Sequence, residues 1–416
     1  MLFTAQLYPA LSEINAPVGI IQAEAVRLST FDIDVTPPLG YDIYGKPMPK
    51  SWDMGLRAKG IVLQGAGKPI VLVAFDWIGI ANACHDEFEK RVATAANTTV
   101  ERVGVHCLHQ HDAVRPDLKS TFVLDVLKRL ETAVKNCLDE TQPVTHIGYG
   151  EGQVYQVASN RRILGPDGKI KASRYTTTTD PALRAEPEGL IDPMVSVISF
   201  WNVDKPVAVL SFYASHPQSY YHLGIPNPDY PGVARFFRQL AVPDALHVHF
   251  TGAGGNITTG KYNDGSHENR LLFAERLADG MKTAWESSKK ESISADNITW
   301  TTEPVALPPD PKKSRNNEYE QRYRAGKKID LGCLAMGNIR ILFMPGELFV
   351  EYQLAAKKMR PDLFVAMAAY GDGGPGYIPT AIAFTQGGYE AGETTGSRLL
   401  PDVEEILMTA ISKLLK

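Results

Sequence analysis

Short apolar runs alternate along this chain with helical patterns, and that alternation constrains the fold more than any other feature. The runs PIVLVAF and NIRILFM are apolar on both faces, as strands covered on both sides are. Similar runs occur in GIIQAEAVRLS, KGIVLQ, VGVHCLH, MVSVISFW, VAVLSFYASH, LHVHFTG and ITWTTEPVAL. Helical patterns fall near 84–96, 119–138, 231–241, 267–289, 348–359 and 402–415. Interleaving of this kind predicts an α/β protein with mixed β-sheets flanked by helices. No clean linker divides residues 1–416, and no internal repeat is legible, so one elaborated domain is expected. The polar stretch from Asn160 to Pro187 reads as a long loop or lid, and LPPDPKKSRNNEYEQR as a surface excursion.

Composition narrows the function. Hydrophobic residues make up 44% and charged residues 22% of the 416 positions, ordinary values for a protein with a sizeable core. A net charge of -4 with no basic stripe argues against nucleic acid as a partner. No apolar run of about 18 residues exists, so stable membrane insertion is not expected. The first residues lack a signal-peptide pattern. A soluble protein follows, either cytoplasmic or exported with its signal removed. The oligomeric state is not legible. The four cysteines (Cys84, Cys107, Cys137 and Cys333) form no Cys-x-x-Cys pair and are too few for a disulfide scaffold.

The chemistry concentrates at strand ends. His109 and His111 stand two apart in VGVHCLHQHDAVRPD, so strand alternation would aim both rings, and Cys107, one way. Cys107 is better read as a buried inert thiol. His106, His109 and His111 fall within six residues of a chain with ten histidines. Imidazole is a common metal ligand and acid/base. His216 follows another apolar strand, and Pro217 stops the ladder behind it. Glu347 follows Pro-Gly at a strand-to-helix turn, placed either to cap the helix or to bind a cation. Asp229 opens a helix, where capping is its default role, and it could also hold a substrate hydroxyl. FTGAGGNITTG is neither a Walker A nor a GxGxxG sequence. Its amides could form an anion nest or a tight turn, with Thr258 or Thr259 presenting a hydroxyl. A second glycine-rich loop, AYGDGGPGYIPTAIAFTQGGYEAGE, carries Tyr377 and Tyr389.

Taken in order, eight short elements resemble the zinc-containing catalytic domain of the neutral, non-lysosomal ceramidase family. They are FDIDVTPPLG, GLRAKGIVL, HQHD, SNRR, ASHPQS, GGNIT, MPGE, and GYIPT with GGYEAG. The resemblance implies one Zn2+ bound by His109, His216, Glu347 and Tyr377, activating water against an amide carbonyl. It gives His111 a role beside the metal, Arg161 the place of the arginine in the family's N-R-S element, and Tyr389 a part in polarising the carbonyl. Three departures stand out. Asp112 replaces a serine after the histidine pair. Thr258 and Asn256 replace the family's catalytic serine and its aspartate. The last pattern is a helix near 402–415, so no C-terminal immunoglobulin-like domain of the family's kind is expected.

The expected function is zinc-dependent hydrolysis of an amide or ester in a small molecule more polar than ceramide. His111 or Asp112 would move the proton, Tyr389 and Arg161 would stabilise the oxyanion, Thr258 would stand in the catalytic serine's place, and Asp229 and Asn256 would meet polar groups of the substrate. Two alternatives are a metal-dependent lyase or isomerase acting on a sugar-like substrate, and a noncatalytic binding protein on the same scaffold. An amidohydrolase barrel also uses His-x-His, but at its first strand, and several strands precede the pair here.

Overall fold

A computed structural model describes residues 25–43, 51, 53–392 and 396–416. Three sheets dominate it, and each is built in the same order. In the first, strands Arg27–Asp34, Arg57–Gln64 and Ile70–Phe75 run antiparallel as neighbours. Helix Ala83–Ala95 then crosses over, and strand Val103–Cys107 returns parallel to Ile70–Phe75. The second sheet repeats this with His146–Gln153, Met194–Asn202, Lys205–Tyr213, helix Asp229–Ala241 and the parallel strand Leu246–Thr251. The third repeats it with Ile298–Val305, Ile329–Met336, Ile339–Phe343, helix Val350–Met359 and the parallel strand Phe364–Ala368. A further helix follows each parallel strand: Thr121–Cys137, Asn269–Glu286 and Val403–Leu414. The sequence carries no legible repeat, yet the fold has one. Strand order and crossover persist where side-chain identity does not, because binary pattern alone specifies them.

The three sheets turn one face to a shared core. Leu72 and Ala74 of the first, Phe200 and Leu210 of the second, and Ile341 and Phe343 of the third belong to a single buried cluster. Each outer face is covered by its own helices, giving three satellite cores. This explains why Ile70–Phe75 is buried at every position: both faces meet apolar partners.

The six expected helices are present, and the strand in GIIQAEAVRLS begins only at Arg27. Residues 19–24 of that run lie outside the described residues. Periodicity misses the strand His146–Gln153, whose sequence HIGYGEGQ is rich in a residue that strands usually avoid. Here the glycines permit close packing. A Cβ on Gly150 would lie 2.3 Å from the Ala284 carbonyl oxygen, and one on Gly152 2.0 Å from that of Gly280. Helix Asn269–Glu286 rests on that bare face. The stretch expected as a lid holds a short hairpin, Arg162–Leu164 with Ile170–Ser173. It is fastened by the buried Arg174, whose guanidinium donates to the carbonyls of Asn160, Glu186 and Pro187. No helix among the described residues is long and apolar enough to cross a membrane.

Candidate metal centre

Loops leaving the C-terminal ends of the parallel strand pairs in all three units meet at one point, the usual site location in sheets of this kind. The first unit sends His109 and His111, which follow strand Val103–Cys107. The second sends His216, which follows Lys205–Tyr213. The third sends Glu347, which follows Ile339–Phe343, and Tyr370, which follows Phe364–Ala368. Strand alternation does not aim the histidine pair. The strand ends at Cys107, and His109 adopts a left-handed backbone with φ 68°. Its peptide N–H donates to the Trp77 carbonyl at 3.0 Å, which fixes the turn. Cys107 stays in the core beside Phe75 and Phe88, where burial pushes its thiol pKa up. His106 is also structural. Its Nδ1–H donates to the Ala369 carbonyl at 2.8 Å, and its ring packs on Phe343.

Hydrogen bonding fixes which nitrogen each ring presents. His109 Nδ1–H donates to the Ile78 carbonyl at 2.7 Å. His216 Nδ1–H is shared between the Gly254 and Ile257 carbonyls at 2.7 and 2.9 Å. A carbonyl can only accept, so Nδ1 carries a hydrogen in both rings, and Nε2 is the atom each ring, when neutral, offers as an acceptor. Both Nε2 atoms face one carboxylate oxygen, since Glu347 Oε2 lies 3.3 Å from each. His111 Nε2 lies 3.2 Å from His109 Nε2. Ring nitrogens of His109, His111 and His216 all fall within 4.8 Å of one another, a group that could hold a metal ion.

Charge supports that reading. Burial lowers His216 to about 4, so its ring is neutral near pH 7. Burial, reinforced by His109 and His216, also holds His111 well below its usual value. Burial pushes Glu347 upward, but His109 and His216 pull harder and keep it an ionised carboxylate. Two ring nitrogens and a carboxylate oxygen that converge this closely form a donor set able to hold a cation. Ligand atoms around a tetrahedral zinc with bonds of about 2.0–2.1 Å stand about 3.3 Å apart. The two Glu347 edges have that length, and the nitrogen and oxygen donors suit zinc.

A second layer backs the cluster. Arg161 donates to the Tyr377 hydroxyl at 3.2 Å and pairs with Glu390 at 3.3 Å. Arg162 takes the other Glu390 oxygen at 3.2 Å. Burial opposes the charge on Arg161, yet Tyr377 and Glu390 outweigh it and raise its pKa. Its guanidinium sits 5.9 Å from the Tyr377 ring and 5.7 Å from the Tyr389 ring. Burial, with Glu347 nearby, keeps Tyr377 protonated. Tyr370 stacks on His109 at 4.6 Å between centroids.

Other expected site residues bond within the fold. Asp112 Oδ1 accepts from the Gly224 N–H at 2.7 Å, and burial raises its pKa to about 6. The Asp229 carboxylate accepts from Ser219 N, Ser219 Oγ and Tyr220 N. Asn256 Oδ1 accepts from Val350 N at 3.0 Å at the start of helix Val350–Met359, and its Nδ2 donates to Glu351. Thr258 donates to the Tyr175 carbonyl at 3.0 Å. Four amides of the glycine-rich loop are used inside the fold, as a tight turn requires. Gly252, Ala253, Gly255 and Ile257 donate to Tyr213, Gln353, Leu348 and Gly254. Sequence reasoning missed Tyr370 and Glu390. The only local signal for either was its place in a glycine-rich loop.

A cavity of about 200 Å³ opens beside His109 and Glu347. A larger one of about 270 Å³ shares only Gly371 with it and touches no member of the cluster.

The fold and centre define a mixed α/β protein with a buried histidine–carboxylate cluster able to hold a metal. No protein-family model and no curated protein matches the chain. Solved structures do. The neutral ceramidase from Pseudomonas aeruginosa superposes with a TM-score of 0.71 at 14% identity, covering 94% of this chain and 74% of that one. A ceramidase complexed with C2 gives 0.72 at 14% identity, with 94% and 75% covered. The chain has a neutral-ceramidase-like fold.

Proposed function

We propose that this protein is a zinc-dependent hydrolase of amide bonds, with esters as a related substrate class. The observation that carries the reading is the convergence of His109 Nε2 and His216 Nε2 on one Glu347 carboxylate oxygen. The ceramidase-like fold supports it. His109, His216 and Glu347 would hold the ion, with Tyr377 completing the set and Glu347 offsetting its charge. When bound, zinc lowers the pKa of water to about 7, which makes a nucleophile available at neutral pH.

The protein's own groups do the rest. His111, neutral and beside His109, accepts the proton of the attacking water and returns it to the leaving nitrogen. Arg161 and Tyr389 steady the charge that develops on the carbonyl oxygen. The test is turnover of an N-acyl amine panel in heavy-oxygen water with zinc-loaded protein. Hydrolysis places one solvent oxygen in the carboxylate product. Turnover without label would point instead to lyase or isomerase chemistry. No turnover at full zinc occupancy would leave a binding protein.

A further inference from the structure

The cavity beside the metal cluster has an unusual wall. Glycine lines it at Gly79, Gly346, Gly371, Gly373 and Gly376. Two of these hold space open. A Cβ on Gly79 or on Gly376 would meet nothing within 4 Å. Gly376 has φ +66°, so its backbone alone explains the residue. Gly79 is outside the left-handed region and has no such reason. Its missing side chain keeps volume free.

The cavity is also small. A void of about 150 Å³ holds a benzene-sized ligand, so about 200 Å³ holds roughly eight heavy atoms. Pockets for drug-sized molecules run to about 300–1,000 Å³. Its orientation follows from its neighbours. His109 and Glu347 line it, whereas His111 and His216 do not. With His111 returning the proton to the leaving amine, the amine lies on the His111 side. The acyl group then extends the other way, past His109 and Glu347.

We infer that this cavity is the acyl pocket, that it admits short acyl chains of up to roughly seven carbons, and that Gly79 sets this limit. The inference rests on the hydrolase reading.

The test uses alkyl hydroxamates of graded length, which bind a metal through the hydroxamate and place the alkyl chain in the acyl position. Binding to zinc-loaded protein is measured by calorimetry for wild type and Gly79→Leu, with melting temperature as a check on folding. Wild type should bind hexanohydroxamate well and hexadecanohydroxamate poorly. Gly79→Leu should weaken hexanohydroxamate about 50-fold and leave acetohydroxamate within about threefold. An unchanged length profile in a folded Gly79→Leu, or equal binding of the long chain by wild type, would overturn the inference. If that variant fails to fold, Gly79→Ala should give a smaller shift in the same direction, and no shift would overturn the inference. N-acetyl and N-hexanoyl amines separate the two claims. Turnover with an unchanged length profile sinks the pocket alone. A Gly79-dependent profile without turnover sinks the hydrolase reading alone.

Discussion

Gly255 stands directly against Glu347: a Cβ on Gly255 would lie 2.3 Å from the Glu347 carbonyl oxygen. The preceding residue, Gly254, receives the His216 Nδ1–H. One loop of the second unit therefore positions a histidine from its own unit and a carboxylate from the third.

That contact makes Gly255→Ala a sensitive probe. The added methyl must displace the Glu347 backbone and with it the carboxylate. Loss of support for a ligand typically costs about 10–100-fold in metal affinity. A chelator-competition titration of the variant should show a loss of that size. Wild-type affinity would mean that Glu347 does not depend on this contact.

Glu390 joins Arg161 and Arg162 with no exposure to solvent. Neutralising it leaves two guanidinium groups without their shared counter-charge. Breaking a buried pair in this way costs about 3–5 kcal/mol. Glu390→Gln should lower unfolding free energy in urea by an amount near the bottom of that range. Its kcat/KM should fall as well, since Arg161 orients the Tyr377 hydroxyl. A variant as stable as wild type would contradict the assignment.

His85 gives the fold a pH dependence away from the centre. Burial disfavours its charge, but Glu89, 3.4 Å from its Nδ1, raises its pKa to about 9. The folded state therefore binds the proton more tightly than the unfolded chain, whose histidine titrates near about 6.5. The stabilisation is complete below about pH 6.5 and disappears as pH rises through about 9. It amounts to roughly 3 kcal/mol at most. Urea midpoints across that window should fall for wild type and stay flatter for His85→Gln. Parallel curves would remove His85 as the cause.

Much of this was legible in the sequence because it is local. His109, His216 and Glu347 each end an apolar strand, and such ends mark sites in α/β proteins. The six amphipathic helices carried their own periodicity. What escaped was set by distant contacts. The aim of His109 comes from its bond to Trp77 and a left-handed turn, not from strand alternation. Glu390 gains its meaning from Arg161 and Arg162, more than two hundred residues earlier. The strand His146–Gln153 was hidden by glycines that exist to admit a helix. The partners of Thr258 and Asn256 are equally distant in sequence: their polar atoms bond to Tyr175, Val350 and Glu351.

The central claim is that His109, His216 and Glu347 hold one catalytic zinc. Elemental analysis of protein loaded with zinc and freed of excess tests it most directly, in wild type, His109→Ala and His216→Ala. The account predicts one zinc per chain in wild type and loss of most of it in both variants, with folding checked by circular dichroism. Wild-type zinc content in a folded His109→Ala or His216→Ala protein, or no zinc in wild type, would contradict it.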